Sequence, residues 1–206
     1  MLDIDAEMAK SASEDEVVEG VPHFVTYSSK EVPIPEGFLT RDPDDAQPIT
    51  IKPVEWTKVG LPQNEGRYAV VLDNVLSPSE CETLLHLVEQ SVPDSQRGKS
   101  GDRFWRPAMV NAGAGYEVLQ TDYRNSDRII WDCQEVVDRL WERCARAPGV
   151  KERLCVLQDD LKVVGYPRRR LGKKVDQRWE FRRLNKRMRF LKYGPGQFFR
   201  GRRFPS

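Results

Sequence analysis

The chain contains only two histidines, and their positions do not predict a metal site. His23 lies in an acidic, proline-containing segment, whereas His86 lies in a predicted helix with Glu82 and Gln90 one turn away on either side. That spacing is typical of a solvated helix face. A transition-metal centre needs several ligands on one face, and no second histidine in the predicted folded region accompanies His86. We therefore predict no catalytic and no metal-ligating residue in this chain.

The four cysteines also fail to form a recognisable site. None of them is arranged as Cys-x-x-Cys, and three fall on predicted apolar faces. We therefore interpret them as buried, reduced thiols rather than as disulfides or zinc ligands. Reduced thiols and an N-terminus without a signal-peptide pattern favour a cytoplasmic or nuclear protein. The cysteines are Cys81, Cys133, Cys144 and Cys155.

The end of the chain has the pattern of a strand, a tight turn and a second strand. Residues 184–200 have the sequence LNKRMRFLKYGPGQFFR, in which Gly194 and Gly196 suit turn dihedral angles. Tyr193 lies immediately before the turn, and Phe198 and Phe199 follow it. On the residues alone, these three side chains are interpreted as ordinary aromatics of a terminal hairpin.

Residues 189–199 of that segment resemble the approach to the metal site of prolyl 4-hydroxylase-like Fe(II)/2-oxoglutarate dioxygenases. In that family an aromatic-x-x-Gly-x-x-aromatic turn leads to a His-x-Asp pair, which supplies two of the three iron ligands. The resemblance implies that Tyr193 is a cofactor-binding residue beside the 2-oxoglutarate pocket. Similar but shorter likenesses lie upstream in Asn74–Cys81 and in the Arg124-Asn125-Ser126 segment before a long helix.

The resemblance also implies a fold, a set of cofactors and a reaction. The fold is α+β, with supporting helices before an incomplete, jelly-roll-like double-stranded β-helix. Fe(II), 2-oxoglutarate and the reductant ascorbate are the implied cofactors. The reaction is hydroxylation of a C–H bond of a protein or small-molecule substrate that the sequence does not specify.

The His-x-Asp pair does not follow the turn in this chain. Residues 201–206 read GRRFPS instead, and we interpret them as a non-homologous end that arises from a frameshift, a retained intron or a gene-model error. We expect a chain that is truncated before the iron ligands to bind neither Fe(II) nor 2-oxoglutarate, and to be catalytically inactive. We also expect its open sheet edges to favour self-association.

Charge and proline content divide the chain into regions. Residues 1–60 are acidic and interrupted by prolines, so we predict a disordered tail. Residues 67–200 form the predicted dioxygenase-like portion. Basic clusters at Arg168–Arg170 and Lys173–Lys174 are interpreted as solvated loops, with nucleic-acid binding disfavoured because no nucleic-acid motif frames them. The alternative function is a non-catalytic binding or regulatory protein that uses this basic region. No apolar run is long enough to span a membrane.

Two helices and one strand are predicted to precede the terminal segment. Residues 68–73 predict a buried strand. Ser77 and Glu80 predict a capping box at the start of the first helix, whose predicted apolar face consists of Cys81, Leu84, Leu85 and Val88. Asp132 is predicted to cap a second helix, which ends at Pro148–Gly149 and packs through Val136, Val137, Leu140, Trp141 and Cys144.

Overall fold

A computed structural model describes residues 17–97, 104–157, 169–170, 173–174 and 179–201. Within these ranges the chain is a mixed α+β protein, which confirms the predicted class. Its antiparallel sheets are small, with two or three strands each, and the described strands do not form a closed barrel. No helix in this part of the chain is long and apolar enough to cross a membrane.

The described helices are few and the strands are short. The helices are α1 (Pro78–Gln90), α2 (Gln134–Cys144) and α3 (Val150–Leu154). The strands are β1 (Pro22–Phe24), β2 (Thr50–Pro53), β3 (Val70–Asp73), β4 (Arg106–Pro107), β5 (Val110–Gly113), β6 (Tyr116–Val118), β7 (Arg124–Asn125), β8 (Asp127–Asp132), β9 (Val156–Leu157), β10 (Arg169–Arg170), β11 (Lys173–Lys174), β12 (Trp179–Glu180), β13 (Arg187–Lys192) and β14 (Phe198–Phe199).

The chain divides into two compact units. Unit 1 comprises Met1–Pro33, Leu85–Asp132 and Arg187–Ser206, whereas unit 2 comprises Ile34–Leu84 and Cys133–Lys186. Unit 1 contains the strand orders β13-β8-β4, β1-β6-β5 and β14-β7. Unit 2 contains the pairs β2-β3, β12-β9 and β10-β11.

Strand β8 lies at the centre of the main sheet in unit 1. It pairs antiparallel with β13 over all six residues of both strands, and β4 lies on its other side. Ile129 and Trp131 point to the same face of β8, because side chains two residues apart share a face. They are 3% and 2% exposed, so this face of the sheet is the core of the unit.

The terminal strands do not form the predicted hairpin. The strand, turn and second strand lie where they were predicted, but β13 pairs with β8 and β14 pairs with β7. The predicted pairing of the two strands with each other is therefore wrong. The two partner strands, β7 and β8, are themselves almost continuous in sequence, so the terminal segment lies alongside one extended stretch of chain.

The predicted capping box is present at the start of α1. The Ser77 amide donates to Glu80 Oε2 at 3.0 Å, and the Glu80 amide donates to Ser77 Oγ at 3.2 Å. The buried side of the helix differs from the prediction, since Leu84, Leu87 and Val88 are buried whereas Leu85 is 46% exposed. The helix is therefore rotated relative to the predicted apolar face, and Glu80 lies on the buried side.

The rotation of α1 follows from a buried ion pair in unit 2. The guanidinium of Arg143, on α2, donates to both carboxylate oxygens of Glu80 at 2.8 and 3.1 Å. It also donates to the backbone carbonyls of Leu39, Arg41 and Val75. The two side chains are only 3% and 6% exposed. A buried charge must be neutralised and hydrogen-bonded, so α1 turns Glu80 inward.

The predicted helix cap at Asp132 is wrong. The N-cap position of α2 is Cys133, which makes no side-chain capping bond. Asp132 is the last residue of β8, and Arg187 donates to both of its carboxylate oxygens at 2.8 Å. This bidentate ion pair across the strands occupies the carboxylate that was assigned to the helix. Val136 and Val137 are buried as predicted.

Residues 17–60 differ from the predicted disordered tail. Strand β1 pairs with β6, and β2 pairs with β3. Leu39 is 2% exposed. The predicted strand at 68–73 is shorter and is not fully buried, since β3 begins at Val70 and Val71 is 49% exposed. The prolines of this region lie between or at the ends of short strands, where they interrupt no long ladder.

The cysteines are free in the structure, as predicted, but they are not all buried. Cys81 is exposed on α1, and Cys133, Cys144 and Cys155 are half-buried. The exposure of Cys81 follows from the rotation of α1 that brings Glu80 inward. Burial raises the pKa of the Cys144 thiol, which favours its neutral form at neutral pH.

The first testable prediction concerns the buried ion pair of unit 2. Glu80→Ala leaves the Arg143 guanidinium buried without its carboxylate, and we expect a loss of about 3–5 kcal/mol in the free energy of unfolding. Glu82→Ala, an exposed position of the same charge on the same helix, is the matched control and should change stability by less than about 0.5 kcal/mol. Denaturant unfolding measures both. Equal effects of the two substitutions would contradict the prediction.

Candidate functional site

The predicted cofactor-binding turn has a defined local geometry. The Gln197 amide donates to the Gly194 carbonyl at 3.0 Å, and Gly196 has a φ of 79°. These values describe a type II turn, with Pro195 and Gly196 at its two central positions. The Gln197 side chain reinforces the turn, because its Oε1 accepts from the Gly194 amide at 2.6 Å. The turn therefore holds its shape through its own residues.

Tyr193 lies between the end of β13 and this turn. Its side chain is 45% exposed, so the ring is accessible to a ligand. A glycine with positive φ three residues later and the fixed proline between them set the direction in which the chain leaves Tyr193. The role of Tyr193 in cofactor binding stays a prediction.

Two segments that were singled out separately in the sequence are neighbours in the structure. Phe198 lies opposite Asn125, and Phe199 lies opposite Arg124. The Phe199 ring packs edge-on against Tyr123 at 5.4 Å between ring centroids, and the Arg124 guanidinium lies 4.9 Å from the centre of the Phe199 ring. The segment that contains Arg124 and the segment that follows the turn thus form one continuous surface.

A buried polar cluster in unit 1 was missed by the sequence analysis. Arg128 Nη2 donates to Glu117 Oε2 at 2.6 Å, and the side chains of Arg128 and Glu117 are 6% and 13% exposed. The Tyr27 hydroxyl donates to Glu117 and accepts from Arg128. Tyr27 precedes Glu117 by 90 residues, so no local spacing could have indicated the cluster.

The cluster extends to the ion pair at the end of the main sheet. The guanidinium groups of Arg128 and Arg187 lie 5.1 and 6.0 Å from the centre of the Tyr27 ring. Burial, and secondly the hydrogen bond to Glu117, raises the pKa of Tyr27 well above its usual range. The phenol is therefore a neutral donor at physiological pH, and its chemistry is to hold the two charged side chains in place rather than to transfer a proton.

His86 lies on the exposed face of α1, whereas His23 lies directly opposite Glu117 of the polar cluster in the pairing of β1 with β6. His23 Nε2 is 3.3 Å from the Val18 carbonyl oxygen, and His86 Nε2 is 2.7 Å from Gln90 Nε2 on the exposed face of α1. Across the part of the chain that the structure describes, no group of three or more His, Cys, Asp or Glu side chains could hold a metal ion.

The structure does not test whether the basic clusters contact nucleic acid. Arg168 lies outside the described residues. Arg169–Arg170 and Lys173–Lys174 are described only as the paired strands β10 and β11. Nucleic-acid binding by this region therefore stays the disfavoured alternative.

We compared the chain with models of protein families, with curated proteins and with solved structures, and found no match in any of the three comparisons.

The second testable prediction concerns Tyr27. Exposed tyrosines ionise near pH 10, whereas the raised pKa of Tyr27 delays its ionisation. Since the folded pKa lies above the unfolded value, the stabilisation is complete below about pH 10 and is lost as the pH rises toward the folded pKa. In an ultraviolet titration, Tyr27→Phe should remove a phenol that ionises well above pH 10. Loss of a phenol that ionises near pH 10 would contradict the assignment.

Proposed function

We propose that the chain forms the leading portion of a 2-oxoglutarate/Fe(II)-dependent dioxygenase domain of the prolyl 4-hydroxylase type. Such a domain couples oxidative decarboxylation of 2-oxoglutarate to hydroxylation of an unactivated C–H bond. The pairing of β14 with β7 is the observation that carries the proposal. It joins the two segments, Arg124–Asn125 and Phe198–Phe199, that the sequence resemblance had identified independently.

The double-stranded β-helix belongs to this proposal. A jelly-roll fold needs about eight strands in two sheets. We assign β8 and β13 to its first core strands, because they form the longest antiparallel pair among the described residues. We assign α1 and α2 to the helical part of that family's domain.

Tyr193 is the cofactor-binding residue in this proposal. Its position directly before a rigid type II turn supports the assignment, since the turn fixes the exit of the chain beside the ring. Its 45% exposure leaves room for a ligand against the ring or hydroxyl. In the proposed domain, Tyr193 orients 2-oxoglutarate by contact.

The described residues do not fit the iron site of the family. That site uses two histidines and one carboxylate on one face, whereas His23 and His86 make separate contacts in a strand and on an exposed helix face. We therefore assign no iron ligand to this chain, and we derive no step of the reaction through the metal. The chain's own contribution is the strand, turn and tyrosine that position the cofactor.

The third testable prediction concerns iron binding and 2-oxoglutarate turnover by the chain of 206 residues. After anaerobic incubation with Fe(II) and desalting, we expect no stoichiometric iron by mass spectrometry and no succinate from 2-oxoglutarate. His86→Ala is the matched control and should give the same result as the unmodified chain. Stoichiometric iron that disappears in His86→Ala would overturn the assignment of His86 to a solvated helix face.

The fourth testable prediction distinguishes a turn that holds Tyr193 against 2-oxoglutarate from an ordinary turn between two strands. In a chimera, residues 187–199 replace the matching strand–turn–strand segment of an active prolyl 4-hydroxylase. We expect the chimera to retain turnover. Within it, Tyr193→Ala should raise the KM for 2-oxoglutarate about tenfold or more with a smaller change in kcat, because a positioning contact to the cofactor is lost.

Arg189→Ala in the same chimera is the control, since Arg189 is exposed on the preceding strand. It should leave the KM for 2-oxoglutarate unchanged. A folded chimera without turnover, or one in which both substitutions have the same effect, would contradict the proposed function.

A further inference from the structure

Arginine and aromatic side chains meet on strands β7 and β14 and on the residues next to them. The guanidinium carbon of Arg124 lies 4.9 Å from the centre of the Phe199 ring, and that of Arg200 lies 5.0 Å from the centre of the Phe198 ring. Tyr123 packs edge-on against Phe199 with 5.4 Å between the ring centroids. We call these five residues, which all belong to unit 1, the aromatic–arginine surface.

The aromatic–arginine surface is accessible to a ligand. Phe199 is 54% exposed and Arg200 is exposed, whereas Tyr123, Arg124 and Phe198 are half-buried. Strand pairing fixes the backbone beneath these side chains, since Phe199 lies opposite Arg124 and the Arg200 amide donates to the Tyr123 carbonyl at 3.0 Å. The rings and cations are therefore held side by side before a ligand binds, which lowers the entropy cost of binding.

Both arginines keep hydrogen-bond donors for a ligand. A cation–π contact uses the charge of a guanidinium and none of its five N–H donors. Among the described residues, the one side-chain hydrogen bond of these two arginines runs from Arg124 Nε to Ser126 Oγ at 3.4 Å. In the same part of the chain, no carboxylate forms an ion pair with Arg124 or Arg200, and this includes the adjacent Asp122. The surface therefore carries two cations that an anionic ligand can neutralise.

A ligand that uses the whole surface must offer anions and planar rings together. Phosphate oxygens accept hydrogen bonds from arginine in a bidentate manner, and nucleobases stack on aromatic rings and on guanidinium planes. An acidic peptide supplies anions, but its carboxylate side chains do not stack on Phe199. In a nucleic-acid duplex the bases are paired and stacked on each other, so they are not available to the ring. A single strand offers both groups.

We propose that the aromatic–arginine surface binds single-stranded nucleic acid without sequence preference. One base stacks on the exposed part of the Phe199 ring, and the flanking phosphates accept hydrogen bonds from Arg124 and Arg200. The surface does not include the basic clusters at Arg168–Arg170 and Lys173–Lys174. Binding to it does not require the proposed dioxygenase reaction.

Two phosphate contacts give a defined salt dependence. For single strands, the logarithm of the binding constant falls with the logarithm of the salt concentration, with a slope of about −0.7 for each neutralised phosphate. Arg124 and Arg200 therefore contribute about −1.4 to the slope. A stacked base adds affinity but releases no counterion, so the contributions of the ring and of the arginines can be measured separately.

Fluorescence anisotropy with a labelled oligothymidylate of about twelve nucleotides tests the proposal on the full chain. We expect binding at low salt, and about tenfold weaker binding to an abasic strand of equal length, which carries the phosphates but no bases. Phe199→Leu removes the ring and should weaken binding to oligothymidylate about tenfold with no change in slope, whereas Phe199→Trp should retain the affinity. Phe24→Leu is the matched control, because Phe24 is 64% exposed and packs edge-on against Tyr116 at 5.4 Å. It should leave binding unchanged.

The arginines are tested as a pair. Arg124→Ala combined with Arg200→Ala should weaken binding and reduce the magnitude of the salt slope by about 1.4. Lys151→Ala combined with Arg153→Ala removes the same charge from exposed positions of α3 and should leave the slope unchanged. Circular dichroism during thermal unfolding verifies that each variant is folded.

Four results would overturn the proposal. The first is the absence of binding at low salt, and the second is equal binding of oligothymidylate and the abasic strand, which would reduce the interaction to one of charge. The comparison of the two strands on the unmodified chain decides both, whether or not a variant folds. The third is an effect of the arginine pair no larger than that of its control. The fourth is displacement of the strand by polyglutamate at equal charge concentration, which would identify an acidic protein segment as the partner.

Discussion

A buried arginine that must be neutralised organises each of the two units. In unit 2, Arg143 binds both oxygens of Glu80 and three backbone carbonyls, so the segments around residues 39–41, 75 and 80 are fixed relative to α2. In unit 1, Arg128 binds Glu117 and Tyr27, which joins β8, β6 and the segment after β1. Without its carboxylate, each guanidinium would be an uncompensated buried charge, which is strongly destabilising. The positions of the surrounding strands and helices follow from this constraint.

The same constraint determines what the polar clusters can do. Tyr27 has a raised pKa, and its hydroxyl is engaged by both Glu117 and Arg128. A phenol that donates and accepts in this way acts as a fixed support, whereas a proton-transfer group needs a pKa near the working pH. The cluster is therefore part of the framework of unit 1 rather than a site of proton transfer.

Strand β8 connects the buried polar cluster of unit 1, through Arg128, to strand β13, which precedes Tyr193. It receives β4 on one side and β13 on the other, and its neighbour β7 receives β14. This arrangement brings the strand that follows the turn beside Arg124 and Asn125. The same arrangement leaves β13 at the edge of its sheet among the described strands.

Local patterns were sufficient to predict the features whose energetics are local. The capping box of Ser77 and Glu80 and the turn after Tyr193 were predicted because neighbouring residues supply their hydrogen bonds. The tertiary structure decided the rest. Burial of Arg143 turned Glu80 inward and exposed Leu85, and pairing with Arg187 removed Asp132 from its predicted role as a helix cap. The partners of β13 and β14, and the cluster of Tyr27, join residues far apart in the chain. Their pairing energy depends on which segments meet, and no local spacing in the sequence encodes that choice.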